Sequence, residues 1–317
     1  MLPHQEGESS LSSLVSSFRR RAAIVIAAAS LTAVVATDHS VSADKPAQYS
    51  ILLFTRTAGF AHPSIPSAIA AIEALGDKRG FEVVATTDPN MFNPVELSKY
   101  AAVVFVSTTG NVLPLPEQRA ALEGYIRAGG GWVGAHAASD VGTAVRNGWP
   151  WFVGLVGAAF QGHTRTHVWA AAPVPGTVYE GPLADAPADA ESFGTTVKYT
   201  SWEPALVDVE DVNSPATRGW GQRRTFVDEW YGFRTNPRGT VHVLASLDES
   251  SYDAFQGDMG EGAADHPIVW CQSYDGGRSV YTGLGHPAAA WSDNKFLAQM
   301  EGAIEMAAGV APFDCAP

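Results

Sequence analysis

The sequence contains little cysteine and comparatively few charged side chains. Its 317 residues include only two cysteines, Cys271 and Cys315, which are too few for a zinc finger or a disulfide framework. A single disulfide between them and a free Cys271 buried in a strand both remain open. Charged residues make up 17% of the chain and hydrophobic residues 46%, which is typical of a globular protein with a large core rather than a disordered chain.

The sequence also lacks an excess of basic charge and the common nucleotide-binding loops. Its formal net charge is −13, so it repels phosphate backbones, and we expect no nucleic-acid partner. It has no G-x-x-x-x-G-K-[ST] loop, no G-x-G-x-x-G fingerprint after the first predicted strand and no G-x-S-x-G motif. These absences argue against a P-loop NTPase, a dinucleotide-binding enzyme and a serine hydrolase.

Residues 1–43 have the features of a signal peptide. Arg19, Arg20 and Arg21 precede an apolar run, residues 22–36, that is short for a membrane span. Small-residue cleavage sites end at Ala36 and Ala43. We therefore expect a secreted, periplasmic or cell-envelope protein, with the twin-arginine route as one option and no membrane insertion after cleavage. An uncleaved N-terminal anchor is the alternative.

The rest of the chain predicts an α/β domain over residues 49–309, followed by a C-terminal tail, residues 310–317. Apolar runs at 50–55, 81–86, 101–107 and 132–136 predict strands, and helical patterns lie between them. Strands without polar alternation belong to parallel sheets that are covered on both faces. We therefore predict a doubly wound, mainly parallel sheet flanked by helices.

The second half of the domain is less regular. Residues 165–260 are rich in Pro-containing turns and short β-like runs, and predict an irregular β-rich insertion. Further strands are predicted at 240–247, 267–272 and 279–284, and a closing helix at 296–307.

Two predicted strands deliver a histidine into a following loop. Small residues flank His136 at a strand end, as in a nucleophile elbow, but histidine is a general base or metal ligand rather than an acyl nucleophile. His286 follows another strand in the same way. Because ligands of such sheets bind beyond the carboxyl ends of the strands, we expect the two histidines to converge as catalytic groups. A core histidine held by hydrogen bonds is the alternative for His136.

Other polar residues predict support for this pair. Asp140 is a catalytic candidate that could orient His136 or cap a helix. His62 follows the first strand and is a substrate-binding candidate. His136, His163 and His286 are the candidate ligands of a divalent metal, Zn or Mn, although no motif with zinc spacing requires one.

A run of carboxylates and aromatics indicates a carbohydrate ligand. Asp228 and Glu229 are candidates for acid–base catalysis, because paired carboxylates serve as acid and base. Aromatic faces stack on sugar rings, and carboxylates accept hydrogen bonds from sugar hydroxyls. The other substrate-binding candidates are Trp151, Trp230, Tyr231 and Arg278. Ordinary packing of the aromatics and a hairpin turn at Arg278 remain open.

Five segments in order resemble ThuA-like (trehalose utilisation) domains. They are residues 57–62 (TAGFAH), 130–136 (GGWVGAH), 228–231 (DEWY), 266–270 (HPIVW) and 277–286 (GRSVYTGLGH). The resemblance implies a fold similar to class I glutamine amidotransferases, with His136 at the position of their nucleophilic cysteine and residues 285–287 (GHP) at their catalytic histidine segment. Since the cysteine is missing, amidotransferase activity is not expected.

The resemblance and the residues together predict a carbohydrate-active enzyme. It would act on a disaccharide, glycoside or keto-sugar by hydrolysis, elimination or isomerisation, with histidine acid–base or metal-assisted chemistry. The first alternative is a non-catalytic sugar-binding envelope protein. The second is a structural envelope protein, for which His136 and His286 would lie more than about 10 Å apart, too far for shared ligation.

Overall fold

A computed structural model describes residues 48–143, 148–163, 167–170, 178–186, 190–193, 197–252 and 265–317. The predicted signal peptide, residues 1–43, lies outside these ranges. The described residues all belong to one compact unit that spans residues 45–317.

The described residues form fifteen strands and five α-helices. Strands and helices alternate in the first half of the domain, whereas the second half is mostly β. The strands are β1 (Tyr49–Phe54), β2 (Phe81–Thr86), β3 (Ala102–Val106), β4 (Gly131–Ala135), β5 (Phe160–Gly162), β6 (His167–Ala170), β7 (Val178–Gly181), β8 (Glu191–Phe193), β9 (Val197–Thr200), β10 (Trp202–Val209), β11 (Arg223–Glu229), β12 (Gly232–Phe233), β13 (His242–Leu247), β14 (His266–Tyr274) and β15 (Gly277–Thr282). The helices are α1 (Ile65–Arg79), α2 (Pro94–Leu97), α3 (Pro116–Arg127), α4 (Pro150–Val156) and α5 (Asn294–Ala308).

The strands and helices predicted from apolar runs are confirmed. The four early strands lie within a residue of their predicted positions, and α5 covers the predicted closing helix. Helix α2 is capped by Asn93, whose side chain accepts hydrogen bonds from the backbone N–H groups of Val95 and Glu96. Every residue of β3 and β4 is buried, so both faces of the sheet are covered there.

Within the described ranges, the central sheet has nine strands in the order β11-β10-β13-β14-β15-β4-β3-β1-β2. Strands β2, β1, β3, β4 and β15 are parallel neighbours, whereas β14, β13, β10 and β11 continue the sheet in antiparallel fashion. The sheet is therefore mixed, and the expectation of a mainly parallel sheet describes only this first group of strands. The late strands are antiparallel because short hairpin connections, as between β14 and β15, cannot join parallel neighbours. The doubly wound arrangement stays a prediction.

The hairpin of β10 and β11 is the part of the sheet that sequence patterns did not predict. The two strands pair along their length, from Trp202 with Glu229 to Asp208 with Arg223. However, β10 pairs with β13 only over Val207–Val209. The other half of the hairpin is not paired with β13, and Glu229 at its end contacts His286, so this half must curl over the edge of the sheet where β15 ends.

The predicted β-rich insertion is present as small separate sheets. Strands β7, β6, β9 and β8 form a four-stranded sheet, and β5 pairs with β12. Strand β9 leads directly into β10, and so connects the insertion to the curled hairpin. None of the helices in the described ranges has the length and hydrophobicity needed to cross a membrane.

The C-terminal tail is attached to the domain by a disulfide. Cys315 is bonded to Cys271 in β14, 44 residues earlier, and both cysteines are buried. This pairing resolves the alternative that the sequence left open. Phe313 also packs against the hydrophobic core.

Candidate active site

His136 and His286 meet at the carboxyl edge of the central sheet. Since β4 and β15 are parallel neighbours, the loops that follow them leave the same edge. Nε2 of His136 lies 3.0 Å from Nδ1 of His286, and both side chains are buried. The expected convergence is therefore observed, and the wide separation expected of a structural envelope protein is not.

The backbone of His136 has the left-handed conformation that a sharp strand-to-helix turn requires. Its φ is 52°, which is unfavourable for a residue with a side chain. The Tyr281 hydroxyl donates a hydrogen bond to the His136 carbonyl at 2.8 Å, and Nδ1 of His136 lies 3.0 Å from the Gly283 carbonyl. Because that carbonyl can only accept, Nδ1 carries a proton that it donates to Gly283, and Nε2 is the ring nitrogen that faces His286.

Asp228 fixes the loop that carries His286. Its carboxylate accepts hydrogen bonds from the backbone N–H groups of Gly285, His286 and Glu229, at 2.8, 3.0 and 2.9 Å. Gly285 has a φ of 118°, a conformation open to glycine but not to other residues. Complete burial raises the pKa of Asp228, although the charge of His136 and these N–H groups oppose the rise. Asp228 is thus a positioning residue beneath the site.

Glu229 brings three histidines together. Its Oε2 lies 3.0 Å from Nδ1 of His286 and 3.3 Å from Nε2 of His136, and its Oε1 lies 3.1 Å from Nδ1 of His163. Oε1 also accepts a hydrogen bond from Ser201. Burial alone would raise the pKa of Glu229, but the charges of His286 and His163 and the hydrogen bonds of the site outweigh burial and hold the pKa well below its usual range.

His62 completes the cluster from the loop after β1. Its ring centroid lies 4.9 Å from that of His136 and 5.1 Å from that of His286. The side chain is buried, and its Nδ1 has no hydrogen-bond partner. Desolvation, followed by the nearby His136 and His286, lowers the pKa of His62 well below its usual value, so the ring is neutral at pH 7.

An open cavity of about 220 Å³ adjoins the cluster. Its lining combines aromatic and polar side chains. The lining residues are Phe60, His62, Thr109, Ala137, Asp140, Phe160, His163, Tyr199, Glu229 and Tyr231. Asp140 accepts a hydrogen bond from the Gly110 backbone N–H at 3.1 Å, and the Tyr231 ring lies 4.1 Å from that of His136.

Three of the predicted substrate-binding residues lie elsewhere. The Trp151 indole donates to Asp275 in the β14–β15 turn, and the Arg278 guanidinium donates to the Ala307 carbonyl at the end of α5. Both lie at the amino end of β15, the end opposite the histidines. The Trp230 indole donates to the Glu203 carbonyl, and its ring packs near Tyr252.

Sequence patterns did not single out several residues that shape the site. Ser201 and Trp202 come from the start of the curled hairpin, where Ser201 bonds to Glu229 and Trp202 packs against the His286 ring at 5.2 Å. Phe60 and Phe160 line the cavity. Only Phe60 had a local signal, since it stands two residues before His62 in the loop after β1.

The comparisons with known proteins agree with this fold. The family model described as ThuA, trehalose utilisation, matches residues 50–307. The structure thus defines the chain as an α/β protein with a histidine cluster at the edge of its central sheet. Because the match spans most of its length, the chain belongs to the ThuA family.

Two solved structures are similar to the chain over most of its length. A protein from Bacteroides uniformis described as ThuA-like has 24% identity and a TM-score of 0.59, covering 82% of this chain and 91% of its own. A protein from Parabacteroides merdae with the same description has 18% identity and a TM-score of 0.57, covering 86% and 94%. At these identities the likeness establishes the fold alone. No curated protein matches the chain.

Proposed function

We propose that this ThuA-family protein is an exported carbohydrate-active enzyme. Its substrate would be a disaccharide, a glycoside or a keto-sugar, and its reaction hydrolysis, elimination or isomerisation. Family membership supports a role in carbohydrate metabolism. The reaction itself is inferred from the site, because a fold does not determine an activity.

The observation that carries the proposal is the cavity beside the buried histidine cluster. Tyr231, Phe60 and Phe160 offer aromatic faces to a sugar ring, while Asp140 and Thr109 offer polar groups to its hydroxyls. At about 220 Å³ the cavity is smaller than the pockets of drug-sized ligands, which begin at roughly 300 Å³. It therefore suits one sugar ring, with the rest of a disaccharide outside.

The proposed chemistry is acid–base or metal-assisted. His136 and His286 transfer protons when their ring nitrogens are free, and would serve as ligands of an ion that polarises the substrate when a metal is bound. Their nitrogens lie within 3.3 Å of Glu229, so a proton taken from a substrate hydroxyl or carbon has an acceptor chain within the site. Asp228 holds the His286 loop in place. Both cysteines of the chain are joined in the Cys271–Cys315 disulfide, and thioester chemistry of the amidotransferase kind is not part of the proposal.

The test is turnover of trehalose and of its keto derivative, followed by product mass. After hydrolysis the combined mass of the products exceeds that of the substrate by one water. Elimination gives two products whose combined mass equals that of the substrate, and isomerisation gives one product of unchanged mass. We expect His136→Ala to reduce turnover at least about 100-fold, the usual range for loss of a general acid or base. His242→Ala, outside the site, should retain the wild-type rate. Full turnover by His136→Ala would contradict the proposal.

The aromatic lining also favours a second function, sugar binding without catalysis. In that case Tyr231→Ala would weaken binding of the same sugars in calorimetry, whereas His136→Ala would leave affinity nearly intact. Binding without turnover by the wild-type chain would select this alternative.

Export forms part of the proposal. The Cys271–Cys315 disulfide supports it, because disulfides persist in oxidising compartments. N-terminal sequencing of the chain isolated from its cells should find cleavage after Ala36 or Ala43, and an intact N-terminus would contradict export by a cleaved signal peptide.

A further inference from the structure

We propose that His62, His136, Glu229 and His286 form a binding site for one divalent transition-metal ion. This inference deepens the proposed function and rests on it for its catalytic meaning, but metal binding is measured separately from activity. Each residue offers one ligand atom, and these atoms all lie within 4.8 Å of one another. All four side chains are buried at the carboxyl edge of the sheet.

Three of the ligand atoms form a compact triangle. Nε2 of His136, Nδ1 of His286 and Oε2 of Glu229 are separated by 3.0, 3.0 and 3.3 Å. Ligands bonded to one ion at about 2.1 Å lie about 3.0 Å apart at right angles and about 3.4 Å apart at the tetrahedral angle. The observed triangle thus has the size of three adjacent positions around one metal ion.

His62 is the fourth ligand. The ligand atoms of all four residues lie within 4.8 Å of one another, and ligands on opposite sides of an ion lie about 4.2 Å apart, so the His62 ring is near enough to complete the set. Its Nδ1 is a buried nitrogen without a hydrogen-bond partner, which is costly in an apolar setting. An ion in the cluster compensates the loss of water around this ring and its neighbours.

The surroundings prepare the ligands for a cation. The Gly283 carbonyl holds the proton of His136 on Nδ1 and leaves the Nε2 lone pair facing the cluster. Glu229 is oriented through its other oxygen by Ser201 and His163. Metal-binding histidines and carboxylates are commonly oriented in this way by hydrogen bonds behind them.

The ligand set indicates the class of metal. Three imidazoles and one carboxylate suit zinc, manganese or iron, whereas calcium and magnesium prefer oxygen ligands. The cavity lined by Tyr231, Asp140 and Phe60 borders His62 and Glu229. A sugar carbonyl or a water molecule in that cavity would reach the open side of the ion, which would polarise it.

The experiment uses the purified full-length chain, stripped of metal with a chelator. Zn²⁺ and Mn²⁺ are titrated separately by calorimetry, and the bound metal is then measured by elemental mass spectrometry. We expect one equivalent of at least one of the two ions per chain and a rise in Tm on binding. X-ray absorption of the loaded protein should show nitrogen and oxygen ligands only.

The variants are Glu229→Gln, His62→Ala and the control His242→Ala. Glu229→Gln keeps the shape of the side chain, and His62→Ala removes a ring whose Nδ1 has no partner, so the second variant tests the site if the first does not fold. Both should weaken metal binding at least tenfold. His242 pairs with Asp211 outside the cluster, and its replacement should leave affinity unchanged.

The possible results separate this site from the proposed function. Failure of the wild-type chain to bind either ion at millimolar concentration, or equal affinity in His62→Ala and wild type, would overturn the metal site. Stoichiometric binding without turnover of any tested sugar would support the site and contradict only the enzymatic proposal. Turnover by a metal-free chain that binds neither ion would support the enzymatic proposal and contradict the metal site.

Discussion

The position of a side chain along its strand decides whether it reaches the candidate site. His136 and His286 each follow an apolar run, and parallel strands place their following loops at one edge, so the convergence of the two histidines was predictable. The same rule separates Arg278 from the site, because Arg278 stands at the start of β15 rather than at its end. Position along a strand therefore predicted membership of the site better than proximity to aromatic or glycine-rich segments in the sequence.

The partners of Glu229 were not predictable in this way. The residue was recognised from its place beside Asp228 and two aromatics, but its strand, β11, lies four positions from β15 in the sheet. On a flat sheet that is about 19 Å. Only the curl of the β10–β11 hairpin brings Glu229 to 3.0 Å from His286, and no local pattern encodes such a curl.

Asp228→Asn tests how strongly one side chain organises this region. One carboxylate oxygen of Asp228 accepts from the Gly285 N–H, and the other accepts from the N–H groups of His286 and Glu229. Asparagine has only one acceptor oxygen, so its NH₂ group replaces one of these acceptors and leaves the backbone N–H groups there without a partner. We expect the free energy of unfolding to fall by about 2 kcal/mol, the usual cost of an unsatisfied buried donor. Denaturant unfolding measures this change.

The matched control is Asp88→Asn. Asp88 also accepts a hydrogen bond from a backbone N–H, that of Asn90, but it is exposed, and asparagine replaces aspartate well at such positions. Its stability should stay within about 0.5 kcal/mol of the wild type. Equal stabilities of the two variants would show that Asp228 does not organise the His286 loop.

At the scale of whole elements, apolar strands were predictable and alternating ones were not. Strands β1, β3 and β4 are almost entirely buried, so their sequences are continuous apolar runs. By contrast, β11 alternates exposed and buried residues, and its arginines and threonine hide the pattern. The pairing of β10 with β13 skips the intervening strands β11 and β12, and local periodicity does not report which strands become neighbours.

Helix α5 packs so closely on the segment Pro215–Thr217 that one of its residues must be glycine. A Cβ atom at Gly302 would lie 2.0 Å from the Pro215 carbonyl oxygen, and backbone atoms cannot easily move away. Although alanine is the better helix former, Gly302→Ala should destabilise the protein by roughly 1–3 kcal/mol through overpacking. Thermal or denaturant unfolding measures the change.

Gly124→Ala in α3 is the control for this prediction. Gly124 is exposed, and nothing lies within 4 Å of the Cβ that would be added. The same substitution should therefore stabilise the protein by up to about 1 kcal/mol, since only helix propensity changes. If Gly302→Ala were also stabilising, the close approach of α5 to Pro215 would be refuted.

At the scale of the whole molecule, the disulfide connects the end of the chain to the middle of the sheet. Neither cysteine has a local signal that predicts the pair, because a buried Cys271 in a strand is equally compatible with a free thiol. The bond closes a loop of 44 residues that contains β15 and α5 and hence the His286 loop. The bond therefore encloses the segment that carries His286 between two cross-linked positions of the chain.

Removal of this bond should lower stability without altering the fold. In the chain-entropy model, a cross-link over 44 residues stabilises the native state by roughly 4 kcal/mol, which corresponds to a fall in Tm of roughly 10 °C when the bond is absent.

Cys315→Ser is the suitable variant, because it leaves the fully buried Cys271 as a small apolar thiol rather than burying a hydroxyl in β14. Calorimetry of the oxidised wild type, the reduced wild type and the variant gives the comparison: the last two should melt together, and both well below the first. A variant as stable as the oxidised protein would mean that the bond restricts the unfolded chain little, and that packing of Phe313 on the core is what holds the tail.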